Sequence, residues 1–579
     1  MRQTPHSLLP VSNIELMSAQ ENDSTTDAVQ GHGGSHATAV AANHGVRTIF
    51  TLSGAHVFPM YDAAEKEDHG VSLVDVRHEQ TAAFAAEATG KLTRSPGLAV
   101  LTAGPGVTNG VSAITQAYFS GSPMVVVGGR APLARWGTGS LQEFDHVPLL
   151  SSVTVSAETA VDTADIAGAT HRAFQAARSA HRGPAFLDIH MDHFFDQSES
   201  VRPGPGSGTE EDTDRSPDAD AIERVASLLT EAERPVLVLG SDVWSDGAEE
   251  AALRCVEALG LPTIPNGMGR GIVPAGHRLL VTKARGMAFN GADLVIVVGT
   301  PLDFRLGYGV FGGKDGATPA TVVHIADAPD QLSRHASPAV ATAGDLTRVF
   351  DELTEAVQRR SRTPDWSAWA GALREKAEAT HTADLELLGA EADPIHPARI
   401  YGELLPRLED DAVVIGDGGD FVSFAGKFVE PKRPGNWLDP GPFGCLGAGL
   451  GAAIAARIAR PSSQAVLLLG AGAAGFSLID VDTLVRHKLP VVMIMGNNSA
   501  WALEKGPMQM IYGYDVIADL APQTRYDEVV KALGGAGEMV TDPAQIGPAI
   551  DRAFASGVPY LVNIVTDVDA AYPRATFGV

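Results

Sequence analysis

The sequence predicts an α/β protein made of three doubly wound domains, each built on a parallel sheet. Three observations lead to this prediction. First, the 579 residues, at about 150 residues per domain, leave room for three or four domains. Second, short uninterrupted apolar runs alternate with Ala-rich helical stretches, which is typical of parallel strands that are buried on both faces. Third, two breaks in this alternation divide the chain into three blocks.

The two breaks differ in strength. Residues 197–220 (QSESVRPGPGSGTEEDTDRSPDAD) are rich in Pro, Gly, Ser and acidic residues, a composition that cannot bury a core. A weaker break, at about 358–394, is charged and compatible with helix. We therefore expect a disordered tail at 1–30, domains at 31–195, 218–357 and 393–579, linkers at 196–217 and 358–392, and a mobile cover formed by the last residues of the chain.

Each block supplies its own predicted strands in order. The runs are RTIFTL, SLVDV, LAVLT, MVVVGG and PAFLDIHM in the first block, PVLVLG, LPTIP, DLVIVVG and TVVHI in the second, and AVVIGD, AVLLLG, VVMIMG and YLVNIV in the third. Ligands of doubly wound sheets bind outside the carboxyl ends of the strands. The residues that follow these runs are therefore the candidates for a binding site.

Composition excludes several classes of protein. The net charge of −27 argues against a nucleic-acid partner and against polybasic membrane attachment. Two cysteines, Cys255 and Cys445, exclude a disulfide framework, so a reducing, cytoplasmic setting is expected. Apolar stretches such as Ala465–Phe476 are much shorter than the roughly 20 residues of a membrane-spanning helix, and we see no secretory signal.

Glycine is the informative residue in the third block. Three glycine-rich segments occur there: VVIGDGGDF (413–421), GPFGCLGAGLG (441–451) and LLLGAGAAGF (467–476). A strand that enters a glycine turn at a helix N-terminus can bind a diphosphate through backbone N–H groups and the helix dipole. Close packing between helix and sheet also selects glycine. The partial G-x-G-x-x-G match at 447–451 follows a loop, so it is weak support for a nicotinamide dehydrogenase.

The last of these segments belongs to a longer pattern. Gly470-Ala471-Gly472 is followed by a helix, a buried strand and Asn497-Asn498, with a spacing of 27 from Ala471 to Asn498. This resembles the G-D-G…N-N signature of the thiamine diphosphate-dependent enzymes. In that family the Asp, the second Asn and a nearby carbonyl bind the Mg²⁺ or Ca²⁺ ion that bridges the diphosphate, as a hard cation prefers oxygen ligands.

The resemblance implies that the Gly470–Gly472 turn binds the cofactor and that Asn498 and the carbonyl of Ala500 are metal ligands. The sequence departs from the signature at Ala471, where the family has a carboxylate. Loss of this anionic ligand should weaken metal binding, and with it diphosphate binding. Asp480 lies too far along the following helix to substitute, and Asp417 lies too far before Asn498 in the sequence.

The first block resembles the pyrimidine-binding domain of the same family. Arg77-His78-Glu79 looks like the family's R-H-E, whose Glu shares a proton with N1′ of the aminopyrimidine. Because the 104–109 segment GPGVTN follows at the family's spacing, the resemblance implies that Glu79 is catalytic and that Pro105 and Asn109 contact the cofactor. Taken alone, Glu79 would be a favourable acid at a helix N-terminus.

Further matches extend the resemblance over roughly residues 33–575. Leu446 matches the bulky residue that supports thiamine in its bent form, and Gly418, Gly419 and Asp420 match a diphosphate anchor. The block order is then pyrimidine-binding, middle and diphosphate-binding domain, as in the acetolactate synthase-like branch. Since the two cofactor-binding domains normally come from different subunits, a homodimer or homotetramer is implied.

Segments at 51–59, 135–146, 501–505 and 571–574 look like actinobacterial 2-hydroxyacyl-CoA lyases. Those enzymes split a 2-hydroxyacyl-CoA into a ketone or aldehyde and formyl-CoA. The resemblance implies that Glu504 accepts the hydroxyl proton and that His56 and Gln142 face the pocket. The alternatives are an ion pair of Glu504 with Lys505 and a structural role for His56.

The middle block in this branch binds an ADP moiety, from CoA or, less favoured here, from FAD. Arg285 and Arg305 occupy matching regions, and the planar guanidinium suits phosphates. Three functions stay open at this point. They are a lyase that acts on a short or branched 2-hydroxyacyl-CoA, an acetolactate synthase-like carboligase that uses pyruvate, and a cofactor-impaired or non-catalytic homologue that results from Ala471.

Overall fold

The computed structural model describes residues 28–206, 215–313, 318–360 and 364–572. Most of the predicted N-terminal tail, part of the first predicted linker and the residues after Tyr572, where we expected a mobile cover, lie outside these ranges. Within them the fold is the predicted one, with three parallel sheets that are each flanked by helices. No helix of the described segments has the length and apolar character of a membrane span.

The first domain is built on a six-stranded sheet with the order β3-β2-β4-β5-β7-β6, and all neighbouring pairs are parallel. A two-stranded antiparallel ribbon, β1-β8, lies beside it. The central strands β4, β5 and β7 are buried along their whole length, as their continuous apolar runs predict. The strands are β1 (Val29–His32), β2 (Thr48–Thr51), β3 (Ser72–Asp75), β4 (Gly97–Leu101), β5 (Met124–Arg130), β6 (Ser156–Thr159), β7 (Pro184–His190) and β8 (Gln197–Ser200), and the helices are α1 (Gly33–Asn43), α2 (Phe58–Lys66), α3 (Glu79–Thr93), α4 (Pro105–Asn109), α5 (Val111–Phe119), α6 (His146–Leu150), α7 (Ile166–Arg178) and α8 (Met191–Phe195).

The middle domain contains a five-stranded parallel sheet with the order β10-β9-β11-β12-β13. Apolar clusters cover both of its faces. Its strands are β9 (Pro235–Leu239), β10 (Thr263–Pro265), β11 (Leu294–Val298), β12 (Thr321–Ala326) and β13 (Val340–Ala343), and its helices are α9 (Ala219–Glu231), α10 (Ser241–Ser245), α11 (Glu249–Leu259), α12 (Arg285–Gly291) and α13 (Leu346–Gln358).

The third domain repeats this architecture with the strand order β15-β14-β16-β17-β19-β18, again with parallel pairs throughout. A long helix, α14 (Ser367–Leu388), precedes it. The strands are β14 (Val413–Asp417), β15 (Trp437–Leu438), β16 (Ala465–Gly470), β17 (Val492–Asn497), β18 (Ala536–Val540) and β19 (Tyr560–Val565), and the helices are α15 (Pro397–Leu404), α16 (Asp420–Phe428), α17 (Gly449–Ala459), α18 (Ala471–Ser477), α19 (Val481–Arg486), α20 (Ala502–Tyr512), α21 (Tyr526–Ala532) and α22 (Pro543–Ala555).

The largest apolar cluster joins the first and third domains of the same chain. Helix α3 packs on α17, and both helices are rich in small side chains. At the contact, a Cβ added at Gly451 would lie 2.7 Å from Cβ of Phe84. The two helices therefore pack so closely that a side chain larger than glycine does not fit at Gly451. At least one glycine of α17 is thus required for helix packing.

Both segments that we expected to be linkers contain regular structure. In the first, β8 pairs with β1 at the start of the first domain. In the second, α14 buries Leu373 against the middle domain and Leu388 against the third. Asp384 of α14 also forms ion pairs with Lys283 (3.0 Å) and Lys427 (2.8 Å). The second segment is thus a helix that packs on both neighbouring domains.

Candidate active site

The carboxyl ends of two adjacent strands form a pocket in the third domain. Strands β14 and β16 are parallel neighbours, with Asp417 opposite Leu469, so their glycine turns lie at the same edge of the sheet. The pocket has a volume of about 470 Å³. It brings together the cofactor-binding residues that the sequence predicted in this domain, namely Gly418, Gly419, Asp420, Leu446, Gly470, Ala471, Gly472, Asn498 and Ala500, together with Glu504.

Glycine is required at this pocket for space and for backbone conformation. Gly418 has φ of +124°, which side chains rarely permit, and a Cβ at Gly472 would lie 2.4 Å from the ring of Trp501. Gly470 has open space where its Cβ would be, so a ligand can approach its backbone. Helix α18 begins at Ala471 directly after this turn. The cradle therefore suits the diphosphate of thiamine diphosphate.

Asp417 fixes one wall of the pocket, a role that the sequence analysis missed. Its carboxylate accepts hydrogen bonds from the backbone N–H groups of Gly447 (2.9 Å) and Gly449 (2.8 Å). Burial raises the pKa of Asp417 to about 6, although these two hydrogen bonds act in the opposite direction. Asp417 thereby holds the loop that carries Leu446 against the end of β14.

The expected metal-binding residues present only neutral oxygens. The side-chain oxygen of Asn498 accepts a hydrogen bond from the N–H of Ala500 (3.2 Å), which fixes the turn after β17. Ala471 is 2% exposed at the start of α18 and supplies no ligand atom from its side chain. Asn498 and Ala500 can hold a divalent cation together with phosphate oxygens, but the carboxylate that would strengthen the site is absent from this turn.

Glu504 lies in the first turn of α20 and lines the same pocket. Its neighbour Lys505 forms ion pairs with Asp515 (3.1 Å) and Asp519 (2.7 Å). No ion pair between Glu504 and Lys505 is present in the described structure. Since Lys505 is held elsewhere, the arrangement favours the interpretation in which Glu504 faces a ligand.

The predicted residues of the first domain form a second group. Glu79 begins α3, is 8% exposed and accepts a hydrogen bond from the side-chain amide of Asn109 (2.9 Å). Asn109 ends the short helix α4, which begins at Pro105 after Gly104, a residue with φ of +62°. The turn at Gly104 therefore brings Asn109 back onto the catalytic acid proposed from the sequence.

His56 and Gln142 lie around the same turn. His56 Nδ1 is 3.1 Å from the hydroxyl of Thr102, and burial lowers the pKa of its imidazole. Gln142 has φ of +60°, and its Cβ lies 2.9 Å from where a Cβ at Gly104 would be. Both residues are thus held by local contacts beside the Gly104 turn.

A buried network of hydrogen bonds and ion pairs holds the Gly104 turn in place. The N–H of Gly104 donates to His146 Nε2 (3.0 Å), and His146 Nδ1 lies 3.1 Å from Asp188, which pairs with Arg130 at 2.7 Å. His146 and Asp188 are completely buried. We did not predict this network. Its signal in the sequence is the placement of Arg130 and Asp188 within otherwise apolar strands, where an isolated charge is costly.

The structure thus gathers the predicted residues in two groups rather than one. Within the described residues, Glu79, His56 and Gln142 are not among those that line the third-domain pocket. The middle domain does reach that pocket, through Asn266, Phe304 and Arg305.

The two arginines proposed for phosphate binding lie together in the middle domain. Arg305 pairs with Asp303 (2.7 Å), and its carbonyl accepts a hydrogen bond from Arg285 (2.6 Å). The guanidinium of Arg285 lies 4.5 Å from the centre of the Phe289 ring, and burial, with the charges of Arg270 and Arg305, lowers its pKa to about 10. Arg305 therefore lines the pocket. Arg285 does not line it, but its hydrogen bond to the carbonyl of Arg305 holds that residue in place.

Comparison with known proteins gives matches to all three domains. Three family models match, described as the N-terminal TPP binding domain (residues 32–149), the central domain (222–353) and the C-terminal TPP binding domain (417–564) of thiamine pyrophosphate enzymes.

Two groups of relatives are similar over nearly the whole chain. "Acetolactate synthase large subunit IlvG" of Mycobacterium tuberculosis is 50% identical over 92% of this chain and 95% of its own length. "2-hydroxyacyl-CoA lyase 2" of Homo sapiens is 32% identical, over 92% of this chain and 90% of its own length, and that of Caenorhabditis elegans is 33% identical, over 88% and 85%. The chain therefore belongs to the family of thiamine pyrophosphate-dependent enzymes, in its acetolactate synthase-like type.

Proposed function

We propose that this protein cleaves the C1–C2 bond of a short or branched 2-hydroxyacyl-CoA, giving a ketone or aldehyde and formyl-CoA. The observation that carries this proposal is the presence of the Glu504 carboxylate in the pocket formed by the glycine turns and Asn498. A lyase of this type needs a base beside the diphosphate-binding residues, because the hydroxyl proton must leave as the C1–C2 bond breaks.

The cofactor supplies the carbanion chemistry that stabilises the one-carbon fragment. Glu504 takes the proton of the substrate hydroxyl, and the oxygen forms the new carbonyl while C1 and C2 separate. C1, which stays bonded to the sulfur of CoA, gains a proton and becomes the formyl carbon of formyl-CoA. One proton is thus lost from the hydroxyl and one is gained at C1, so that atoms and charge balance. Glu79 holds a proton at N1′ of the aminopyrimidine, in a position that Asn109 fixes.

A complete site requires two copies of the chain in this proposal. Glu79 is not among the described residues that line the diphosphate pocket of the same chain, so in this proposal the Glu79 group of one subunit faces the pocket of its partner. A homodimer is the smallest assembly with this property, and a homotetramer repeats it.

Arg305 is the residue that we propose for the phosphates of CoA. It lines the pocket, and its guanidinium is now paired with Asp303. A phosphate would replace or share that carboxylate, since arginine binds either anion through two parallel hydrogen bonds. Mg²⁺ is the cation that we propose at Asn498 and Ala500, with Ca²⁺ as a substitute.

A second candidate function is an acetolactate synthase-like carboligase that uses pyruvate. The 50% identity to proteins named acetolactate synthase favours it. Both candidates share the cofactor and the pocket, so product analysis must decide between them.

The deciding assay supplies thiamine diphosphate and Mg²⁺ with either 2-hydroxyisobutyryl-CoA or pyruvate. Formation of acetone and formyl-CoA, and a loss of about 100-fold or more in Glu504→Gln, would support the lyase. Glu528→Gln, an exposed acid of the same domain, is the matched control and should keep full activity. Acetolactate from pyruvate without formyl-CoA would instead establish the carboligase. No turnover of the acyl-CoA by this protein and by Ala471→Asp would overturn the lyase, and no binding of thiamine diphosphate with Mg²⁺ in calorimetry would support a non-catalytic homologue.

A further inference from the structure

A polar cluster outside the candidate active site lies between the first and middle domains. His181, in the loop between α7 and β7, meets Asp242 of α10 and Asp327, which directly follows β12. His181 Nδ1 is 3.0 Å from both carboxylate oxygens of Asp327 and 3.9 Å from Asp242. One ligand atom from each of the three residues falls within 4.8 Å of the others.

Asp242 is the unusual member of this cluster. It is 7% exposed, and its carboxylate accepts no hydrogen bond from any described residue. Nearby Arg182 pairs with Asp246 at 3.3 Å, so the imidazole of His181, at 3.9 Å, is the cationic partner of Asp242. Two buried carboxylates therefore share a single imidazole, although a buried anion without a close partner is costly.

Asp242 lies at the edge of a cavity. Asp242 and His181 line a cavity of about 50 Å³ that also reaches Ser241, Ser245 and Thr300. This space has room for several water molecules, because one water needs about 10–15 Å³ on this measure. The cluster thus offers three protein ligands together with room for water to complete a coordination shell.

We propose that His181, Asp242 and Asp327 bind a first-row divalent metal ion, such as Zn²⁺, between the first and middle domains. One imidazole nitrogen with two carboxylates suits Zn²⁺ or Mn²⁺ better than Mg²⁺, which prefers oxygen ligands alone. The ion neutralises both carboxylates and ties the loop before β7 to the ends of the middle-domain strands. None of the three ligands lines the diphosphate pocket, although Arg305 lines both that pocket and the cavity beside Asp242.

Equilibrium dialysis of the full, tag-free chain against Zn²⁺ tests the proposal, with metal analysis as the readout and Mg²⁺ in excess to occupy other oxygen sites. We expect one Zn²⁺ per chain, with affinity reduced at least tenfold in Asp242→Asn and in His181→Gln. His69→Gln removes an imidazole that also contacts a carboxylate (2.8 Å to Glu67) and is the matched control. Equal Zn²⁺ binding by the wild-type chain, Asp242→Asn and His181→Gln, or no binding by the wild-type chain, would overturn the site.

Thermal unfolding gives a second readout that does not depend on equal folding of the variants. Without metal, Asp242→Asn should match or exceed the wild-type Tm, because the substitution removes one of two buried carboxylates that share the single imidazole of His181. Zn²⁺ should raise the Tm of the wild-type chain by more than that of Asp242→Asn, since the variant binds the ion at least tenfold more weakly. If Asp242→Asn lowers the Tm equally with and without Zn²⁺, the cluster is an ion pair of protonated His181 with both carboxylates.

Discussion

At the scale of single residues, Ala471 is the position at which a side-chain carboxylate would change how strongly the pocket binds a cation. The residues around it provide neutral oxygens for a cation, from Asn498 and Ala500. Ala471→Asp adds a carboxylate at the start of α18, and a hard divalent cation gains its strongest protein ligand there.

We expect Ala471→Asp to tighten Mg²⁺-dependent binding of thiamine diphosphate at least tenfold, measured by calorimetry at fixed Mg²⁺. Ala471→Asn has nearly the same shape without the charge and is the control. A similar gain in both variants would show that size, not charge, limits the site.

His44 provides a second prediction at this scale. It lies 2.9 Å from His171 and stacks on Phe174 in the core of the first domain. Burial, with the neighbouring charges of His171 and Arg178, lowers its pKa to about 4. The unfolded chain, in which a histidine has a pKa of about 6.5, then binds more protons than the folded chain between those values.

Stability should therefore fall as the pH is lowered from about 6.5 to about 4, and the fall should be smaller in His44→Gln, which has no proton to gain. Chemical denaturation across this pH range measures both slopes. Equal slopes in the two proteins would contradict the assignment to His44.

At the scale of elements, the packing of α3 on α17 depends on glycine. A Cβ at Gly451 would lie 2.7 Å from Cβ of Phe84 and 2.9 Å from backbone atoms of α3. We expect Gly451→Ala to destabilise the protein by about 1–3 kcal/mol, because the backbone of α3 has to move. Denaturant unfolding measures this change.

Gly371→Ala is the control for this measurement. Gly371 also lies inside a helix, α14, but nothing lies within 4 Å of its Cβ position. This substitution should stabilise the protein by about 0.5–1 kcal/mol, as expected for alanine over glycine in a helix. Destabilisation by both substitutions to the same degree would refute the packing argument.

The helices and strands also show which parts of the fold can be predicted from the sequence. Every strand inferred from an apolar run is present, because continuous burial on both faces leaves a strong local pattern. The pairing of β8 with β1 and the docking of α14 were not foreseen. Their residues are polar or charged on average, and their partners are distant in the chain, so local composition carries no signal of the contact.

For the site, the family resemblance named residues that the structure places around the third-domain pocket, but it did not indicate what positions them. Asp417 accepts hydrogen bonds from the backbone N–H groups of Gly447 and Gly449. Almost every residue has such a group, so the sequence does not indicate which of them Asp417 contacts. The network from Gly104 to His146, Asp188 and Arg130 joins four distant segments. Only the folded sheet brings these segments together.

At the scale of the whole molecule, the proposal that each site combines Glu79 of one subunit with the pocket of its partner leads to a test by complementation. Glu79→Gln and Glu504→Gln should each be inactive alone. When the two variants are refolded together or co-expressed, each mixed dimer should have one of its two sites with both acids intact, and so about half of the wild-type activity. A random mixture, in which about half of the dimers are mixed, should therefore reach about a quarter of the wild-type value.

Activity assays on purified mixed assemblies, with each variant alone as the control, measure this recovery. If both acids act within one chain, mixing the variants will restore nothing.

The net charge of −27 acts against the proposed ligands, which are themselves polyanions. Attraction must therefore come from local features, namely the glycine turns, the start of α18, Arg305 and a bound cation. Because the overall repulsion is screened by salt, moderate ionic strength should strengthen cofactor binding, and calorimetry at two salt concentrations would measure the change.

Because α3 begins at Glu79, the position of this acid affects how the protein should lose activity on heating. The catalytic acid proposed here is the first residue of a helix whose other turns are embedded in the core shared by the first and third domains. A residue on a loop can lose its alignment while the rest of the protein is intact. Here the acid keeps its place as long as that core persists, so heat inactivation should coincide with global unfolding and show no earlier, local phase.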